Sequence, residues 1–126
     1  MVIYYLAKEQ IEEIHKSLQP KPKAFGYLYE GGVDFMLYQV EEVYENEPER
    51  DAIIGKAAYL WHTLSFNQYF ADGNKRMGFV IADTFLRING IIFNADINYK
   101  HQISTGIALK THNVEDVRRL VTQSLK

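Results

Sequence analysis

One segment in the middle of the chain limits the folds that this sequence can adopt. Between residues 53 and 64, apolar side chains occupy most of the circumference of a helix rather than one stripe. A helix that is apolar on every side must be surrounded by other elements, because an exposed side would leave apolar surface in water. The apolar positions are Ile53, Ile54, Ala57, Ala58, Leu60, Trp61 and Leu64. The sequence therefore predicts a bundle of helices with this segment at its centre.

The flanking segments can form amphipathic helices that cover such a centre. Apolar residues recur with helical spacing in five further stretches, at about 6–18, 33–44, 77–88, 99–109 and 114–125. Pro20 and Pro22 should end the first helix, Asn89–Gly90 should end the one over 77–88, and Asn113 should cap the last. The predicted fold class is all-α, a compact bundle of about six helices.

Two short stretches lack a helical period. Residues 25–32 combine glycines with aromatic residues, which predicts a short flap or hairpin, or a turn, in this region. Residues 91–93 form a short apolar run that fits either a strand fragment or a packed connection between helices.

Length, charge and composition restrict the class of protein. A chain of 126 residues forms one domain, residues 1–126. The absence of cysteine excludes a disulfide scaffold and a thiol nucleophile, and it fits a reducing cytoplasm. The net charge of −2 provides no basic field, so we expect no nucleic-acid partner. No apolar run approaches the ~20 residues that a membrane span needs, and the N-terminus does not resemble a signal peptide, so we expect a cytoplasmic protein without a membrane partner.

One loop and the start of the following helix carry the chemistry. The loop-to-helix run consists of Asp72, Gly73, Asn74, Lys75 and Arg76. Two cations in the first turn of a helix oppose the helix dipole unless an anion is bound, and together with backbone N–H groups they make a phosphate site. An acidic residue beside phosphate suits Mg²⁺. The same residues are also ordinary turn chemistry, with Asp72 as a helix cap and both cations in solvent. Spacing alone leaves both interpretations open.

The stretch Phe70-Ala-Asp-Gly-Asn-Lys-Arg76 resembles the signature of the Fic/Doc superfamily, His-x-Phe-x-Asp-Gly/Ala-Asn-Lys/Gly-Arg. Lys75 stands where the AMP-transferring Fic proteins have a second glycine, so the sequence most resembles the death-on-curing (Doc) type. Proteins of that type are toxins of toxin–antitoxin pairs. The likeness extends over most of the chain. It includes the Ile14-His15 helix before the loop and Phe85–Gly90 after it.

The resemblance implies a transferase. Fic members transfer AMP, and Doc members transfer the terminal phosphate of ATP, to a hydroxyl of a target protein. The implied cofactors are ATP and Mg²⁺, and the implied partners are a target protein with a modifiable hydroxyl and an antitoxin protein. The implied roles are Phe70 as a buried anchor of the loop, Asp72 as the Mg²⁺ ligand, Gly73 and Asn74 as the anion nest, and Lys75 and Arg76 as phosphate-binding cations.

The chain departs from the family pattern where the proton acceptor should be. Gln68 occupies the position of the motif histidine, and a neutral amide cannot accept a proton at physiological pH. Tyr69 and Met77 also depart from the pattern, which favours natural divergence over one engineered replacement. The predicted function is therefore a Doc-like transferase impaired at its proton-transfer step. The alternatives are a pseudoenzyme that binds nucleotide or protein, and a scaffold that has lost nucleotide binding.

The remaining candidate residues have weaker signals. His62 lies six residues before Gln68 and could serve as the base, although a histidine on such an apolar helix is more often structural. The other histidines are His15, His101 and His112, none of which has the i, i+4 spacing of a metal site. Tyr27 and Tyr29 lie where the family has a flap that aligns a target segment, and a merely packed hairpin is the alternative.

Overall fold

The computed structural model describes residues 2–19 and 26–125, and the regular structure within them is helical. The helices are α1 (Lys8–Leu18), α2 (Glu30–Val40), α3 (Glu49–Phe66), α4 (Asn74–Ile88), α5 (Ile97–Ala108) and α6 (Val114–Gln123). The prediction of an all-α fold with about six helices is confirmed. In the described part of the chain, no helix has both the length and the apolarity to cross a membrane.

Helix α3 forms the centre of the bundle. Ala57, Ala58, Trp61 and Leu64 are fully buried, and α2, α4, α5 and α6 all pack against this helix. Complete burial of a large apolar side chain contributes about 1.5–3 kcal/mol, a scale that applies to Trp61 and Leu64, while the small Ala57 and Ala58 let neighbouring helices approach. The predicted central position of this segment is confirmed.

Helices α3 and α4 approach so closely that only a glycine fits between them. A Cβ atom on Gly78 would lie 2.1 Å from the Ser65 hydroxyl oxygen and 3.0 Å from the backbone carbonyl oxygen of Trp61. This contact fixes the beginning of α4 against the end of α3. It thereby restricts where the connecting loop, residues 67–73, can run.

A buried hydrogen-bond chain connects three helices beside that loop. The indole Nε1 of Trp61 in α3 donates to the hydroxyl of Ser104 in α5 at 2.8 Å. The Ser104 hydroxyl donates in turn to the backbone carbonyl of Lys75 in α4 at 2.9 Å. The first turn of α4, which carries the two cations of the motif, is therefore held in place from the core.

Lys56 is a buried lysine in the otherwise apolar helix α3, and backbone carbonyls surround its ammonium group. Only 1% of this residue is exposed, and its ammonium donates to the carbonyls of Val40 at 2.8 Å, Glu41 at 3.0 Å and Val43 at 2.8 Å. Burial lowers the pKa of Lys56. Because the last carbonyls of a helix have no partner within it, the ammonium caps the C-terminus of α2.

The predicted boundaries are wrong at α2. The helix begins at Glu30 and ends at Val40, whereas the sequence predicted about 33–44. Of the irregular stretch predicted at 25–32, residues 26–29 are non-helical, and residue 25 lies outside the described residues. Residues 26–29 are called the flap below. They pair with the motif loop through an antiparallel bridge between Tyr27 and Phe70 and through further backbone hydrogen bonds, such as that from the Ala71 N–H to the Gly26 carbonyl at 2.9 Å. A role of this segment in aligning a target stays a prediction.

The other predicted boundaries are close to those observed. Helix α1 ends at Leu18 as expected, although Pro20 and Pro22 lie outside the described residues. The side chain of Asn113 accepts a hydrogen bond from the Asp116 N–H at 2.8 Å, which confirms it as the cap of α6. Residues 91–93 belong to no named strand, but they have strand-like features: Ile91 and Phe93 are buried, Ile92 is exposed, and Phe93 forms an isolated antiparallel bridge with Leu125.

We predict that Gly78→Ala destabilises the fold. Overpacking costs about 1–3 kcal/mol, and the higher helix propensity of alanine offsets only about 1 kcal/mol of this. Urea unfolding should therefore show a lower midpoint. The control is Gly26→Ala, whose added Cβ meets nothing within 4 Å and should leave the midpoint nearly unchanged. Equal stability of Gly78→Ala and the wild type would contradict the close contact.

Candidate functional site

Phe70 anchors the motif loop in the core. Its side chain is fully buried and stacks on the ring of His15 with a centroid distance of 4.1 Å and on the ring of Tyr27 at 5.0 Å. These rings come from α1 and from the flap. The loop is therefore fixed to two elements that precede it in the chain by more than 40 residues.

Asn74 closes the loop with two hydrogen bonds to the same residue. Its side-chain oxygen accepts from the Phe70 N–H at 3.0 Å, and its side-chain nitrogen donates to the Phe70 carbonyl at 2.9 Å. The sequence predicted a role for the backbone of Asn74 but none for its side chain. The structure shows that its side chain holds the shape of the loop, so the backbone N–H is the group left to face a ligand.

His15 supports the loop from behind. It is fully buried in α1, and its Nε2 lies 2.9 Å from the backbone carbonyl of Asp72 and 3.2 Å from the side-chain nitrogen of Gln19. The sequence predicted no such contact, because Asp72 lies 57 residues further along the chain. A buried histidine with these partners has a structural role.

The start of α4 offers backbone donors beside an exposed carboxylate. Gly73 is the N-cap in the left-handed conformation, with φ of 79°, and it provides no side chain to cap the helix. Its N–H donates to a carboxylate oxygen of Asp72 at 2.8 Å. The next N–H groups, from Asn74 onward, belong to the first helical turn, where no intrahelical acceptor exists. The anion donors therefore begin at Asn74, since Asp72 already occupies the N–H of Gly73.

The motif residues line one cavity of about 620 Å³. Its walls are formed by Ser65, Phe66, Gln68, Ala71, Asp72, Gly73, Asn74, Lys75, Arg76, His101 and Ala108. The structure thus brings together all the predicted site residues except Phe70, which lies behind the loop. Both cations are exposed. Arg76 also donates to the carbonyl of Leu18, the last residue of α1, at 2.9 Å.

The lining residues suit magnesium bound together with phosphate. Within the described residues, no group of three or more His, Cys, Asp or Glu side chains could hold a metal ion by itself. Of the wall residues in the described part of the chain, Asp72 alone carries a carboxylate. Mg²⁺ is commonly held by one or two carboxylates together with substrate phosphates and water, and one carboxylate beside two cations fits that arrangement.

Tyr69 packs against the flap and away from the cavity. A Cβ atom on Gly32 would lie 2.2 Å from the Tyr69 ring, so the glycine in α2 makes room for it. The Tyr69 carbonyl accepts from the N–H groups of Leu28 at 2.8 Å and Tyr29 at 3.0 Å. Burial raises the pKa of Tyr69. The bulky ring therefore leaves the exposed Gln68 side chain at the cavity unobstructed.

The sequence named His62 as a possible base and gave no role to His101, but His101 is the one of these two histidines that lines the cavity. His62 does not line the cavity, its ring stacks on Phe66 at 5.3 Å, and burial lowers its pKa. His101 lies in the cavity wall, is exposed, and meets the ring of Phe79 edge-on at 4.9 Å. No sequence signal identified His101, because only the packing of α5 against α4 brings it to the motif.

Comparison with known proteins identifies a family for this chain. A model of the Fic/DOC family matches residues 5–86, about two-thirds of the chain. The matched region runs from before α1 to near the end of α4 and contains the complete motif loop. Helices α5 and α6 lie beyond it. Among curated proteins, none matches this sequence.

We predict that Asn74→Ala loosens the loop and destabilises the protein. Both Phe70 backbone groups would lose their partner, and each unsatisfied polar group costs about 1–3 kcal/mol where it is buried. We expect a loss of about 2 kcal/mol in the free energy of unfolding, measured by urea denaturation. The matched control is Asn67→Ala, which removes one hydrogen bond to Thr63 at the end of α3. An effect of Asn74→Ala no larger than that of the control would contradict the assigned role.

Proposed function

Because the chain belongs to the Fic/DOC family, we propose that it binds ATP·Mg²⁺ in this cavity and transfers the terminal phosphate to a hydroxyl of a target protein. The observation that carries the proposal is the pair Lys75 and Arg76 in the first turn of α4. Within residues 2–19 and 26–125, neither cation forms an ion pair.

The electrostatics of this helix start favour a polyphosphate ligand. A cation in the first turn of a helix opposes the helix dipole by about 0.3–1 kcal/mol. Lys75 and Arg76 add their mutual repulsion, and the N-cap Gly73 offers no side chain to the first-turn N–H groups. A bound phosphate would satisfy both cations and these donors at once.

Each cavity residue then has a distinct task. Lys75 and Arg76 would neutralise the phosphate oxygens, and the backbone at Asn74 would donate to them. Asp72 would hold Mg²⁺ through the carboxylate oxygen that Gly73 does not occupy. ATP, when bound, supplies the phosphate that is transferred. Gln68 could orient a target hydroxyl by hydrogen bonding, but its amide cannot take the proton.

The resemblance to Doc supports phosphate transfer rather than AMP transfer. Lys75 adds a charged side chain where the Fic type has glycine, and this reduces the space along the loop for a nucleotide bound the other way round. On the same resemblance we propose that the protein is the toxin of a toxin–antitoxin pair acting in the cytoplasm. A gene for a short antitoxin immediately upstream would support that role.

A second function follows from Gln68 itself. The phosphate-binding residues are present and the motif base is absent, which would also suit a pseudoenzyme that holds nucleotide or a protein segment without transferring anything. Binding of ATP without any transfer to a target protein, in the wild type and in a variant with the base restored, would favour this alternative.

We predict that Arg76→Ala and Lys75→Ala each weaken ATP·Mg²⁺ binding. A charge-assisted hydrogen bond contributes about 1.5–3 kcal/mol, which corresponds to roughly a 10–100-fold higher Kd in calorimetry. Lys75→Ala is the cleaner variant, since Arg76 also bonds the Leu18 carbonyl. The control is Arg87→Ala, in the last turn of the same helix and 61% exposed. Unchanged affinity in both motif variants would count against the site.

We predict that Gln68→His accelerates transfer. A general base typically accelerates proton transfer steps ~10²–10⁴-fold. The rate at which the variant transfers labelled phosphate from γ-labelled ATP to a target protein should exceed the wild-type rate by about that factor. The wild type should bind ATP·Mg²⁺ and be weakly toxic in a growth assay. Adding Asp72→Ala to Gln68→His should abolish the gain. Labelling from α-labelled ATP would instead indicate AMP transfer, and an inert Gln68→His variant that binds ATP would favour the pseudoenzyme.

A further inference from the structure

The α5 wall of the cavity carries an imidazole that the family motif does not include. We propose that His101 accepts the proton of the target hydroxyl and so sustains the slow transfer expected of the wild type. This inference rests on the proposed function of the same cavity. It concerns a residue outside the region that the family model matches.

Of the four histidines of the chain, His101 is the one whose imidazole can reach a ligand in the cavity. His15 is buried behind the loop at the carbonyl of Asp72. His62 stacks on the wall residue Phe66 but does not itself line the cavity. His112 has its Nδ1 at 3.1 Å from the Thr111 carbonyl, and its ring fills the space beside Gly106. His101 is the one histidine that lines the cavity.

The packing of α5 against α4 fixes where His101 lies. Ser104 follows it by three residues, so both lie on one face of α5, and the Ser104 hydroxyl donates to the backbone carbonyl of Lys75 at 2.9 Å. His101 is therefore one helical turn from a direct contact with the phosphate-binding turn. The buried ring of Phe79, one turn after Lys75, backs the imidazole edge-on at 4.9 Å.

The imidazole is also available for chemistry. His101 is exposed, and its ring makes no hydrogen bond within residues 2–19 and 26–125. The other polar side chains of the wall are less suited to accept a proton. Ser65 is a buried hydroxyl, and the Asn74 amide is held by the Phe70 backbone. Gln68 is a neutral amide, Lys75 and Arg76 are cations, and Asp72 accepts from the Gly73 N–H and is the proposed Mg²⁺ ligand.

In the proposed step, the hydroxyl proton of the target moves to a ring nitrogen of His101, and the hydroxyl oxygen forms a bond to the γ-phosphorus of ATP. The bond from that phosphorus to the β,γ-bridging oxygen breaks, and ADP leaves with the electron pair. The imidazolium then releases its proton to water. Lys75 and Arg76 stabilise the charge on the phosphate oxygens throughout.

The kinetic test compares His101→Gln with the matched control His112→Gln in two backgrounds. In the wild-type background, we expect His101→Gln to lower the transfer rate from γ-labelled ATP at least tenfold, with an unchanged Kd for ATP·Mg²⁺, and His112→Gln to have little effect. In the Gln68→His background, His101→Gln should change the rate less than twofold, because the restored base then takes the proton. Added imidazole should partly restore transfer in His101→Ala.

A second measurement does not depend on turnover. Histidine side-chain NMR spectra of the wild type, recorded while ADP·Mg²⁺ is added, should show the His101 resonances shifting more than those of His62 and His112. Unmoved His101 resonances, or wild-type transfer rates in His101→Gln, would overturn the proposal. A loss of ATP affinity that accounts for the whole rate change would also overturn it, since His101 would then be a ligand.

The same measurements separate this proposal from the function on which it rests. Transfer by Gln68→His without any by the wild type would overturn the role of His101 and leave the proposed function standing. An absence of ATP binding in both proteins would overturn the proposed function, and the role of His101 would fall with it.

Discussion

The close contact between α3 and α4 at Gly78 is the constraint on which the site depends. Because the α4 backbone lies against Ser65 and the carbonyl of Trp61, the seven-residue connection between the helices has little freedom. The Trp61–Ser104–Lys75 hydrogen bonds then fix the first turn of α4 from the core side. A loop held at both ends by buried contacts can keep backbone donors and cations in position without a bound ligand.

The remaining support of the loop comes from elements that precede it in the chain. His15 of α1 contacts the Asp72 carbonyl, and the flap pairs with the loop through the carbonyl of Tyr69 and the ring of Phe70. The aromatic stack excludes water behind the loop, while the opposite side faces the cavity. This asymmetry explains why Asp72 and the two cations are exposed although Phe70 between Tyr69 and Ala71 is fully buried.

The conflict between local helix preferences and the observed sequence is concentrated at this site. The start of α6 follows the ordinary preferences, since Asn113 and Asp116 form a reciprocal cap. At α4 the cap is a glycine and the first turn holds Lys75 and Arg76, which destabilise an isolated helix start. Such a departure from local preferences is typical of functional sites, in agreement with the phosphate site proposed above.

The sequence by itself determined the helical class, the central position of α3, the end of α4 and the cap of α6, because these depend on periodicity and on neighbouring residues. It also identified the loop that lines the cavity, although not the role of the Asn74 side chain. The start of α2 was missed because Gly31 and Gly32 resemble a turn locally, whereas the ring of Tyr69 packs on Gly32 within a helix. The ammonium cap made by Lys56 and the place of His101 at the cavity were decided by tertiary structure alone. Both join residues from different helices, and the spacing of residues within one segment carries no information about such contacts.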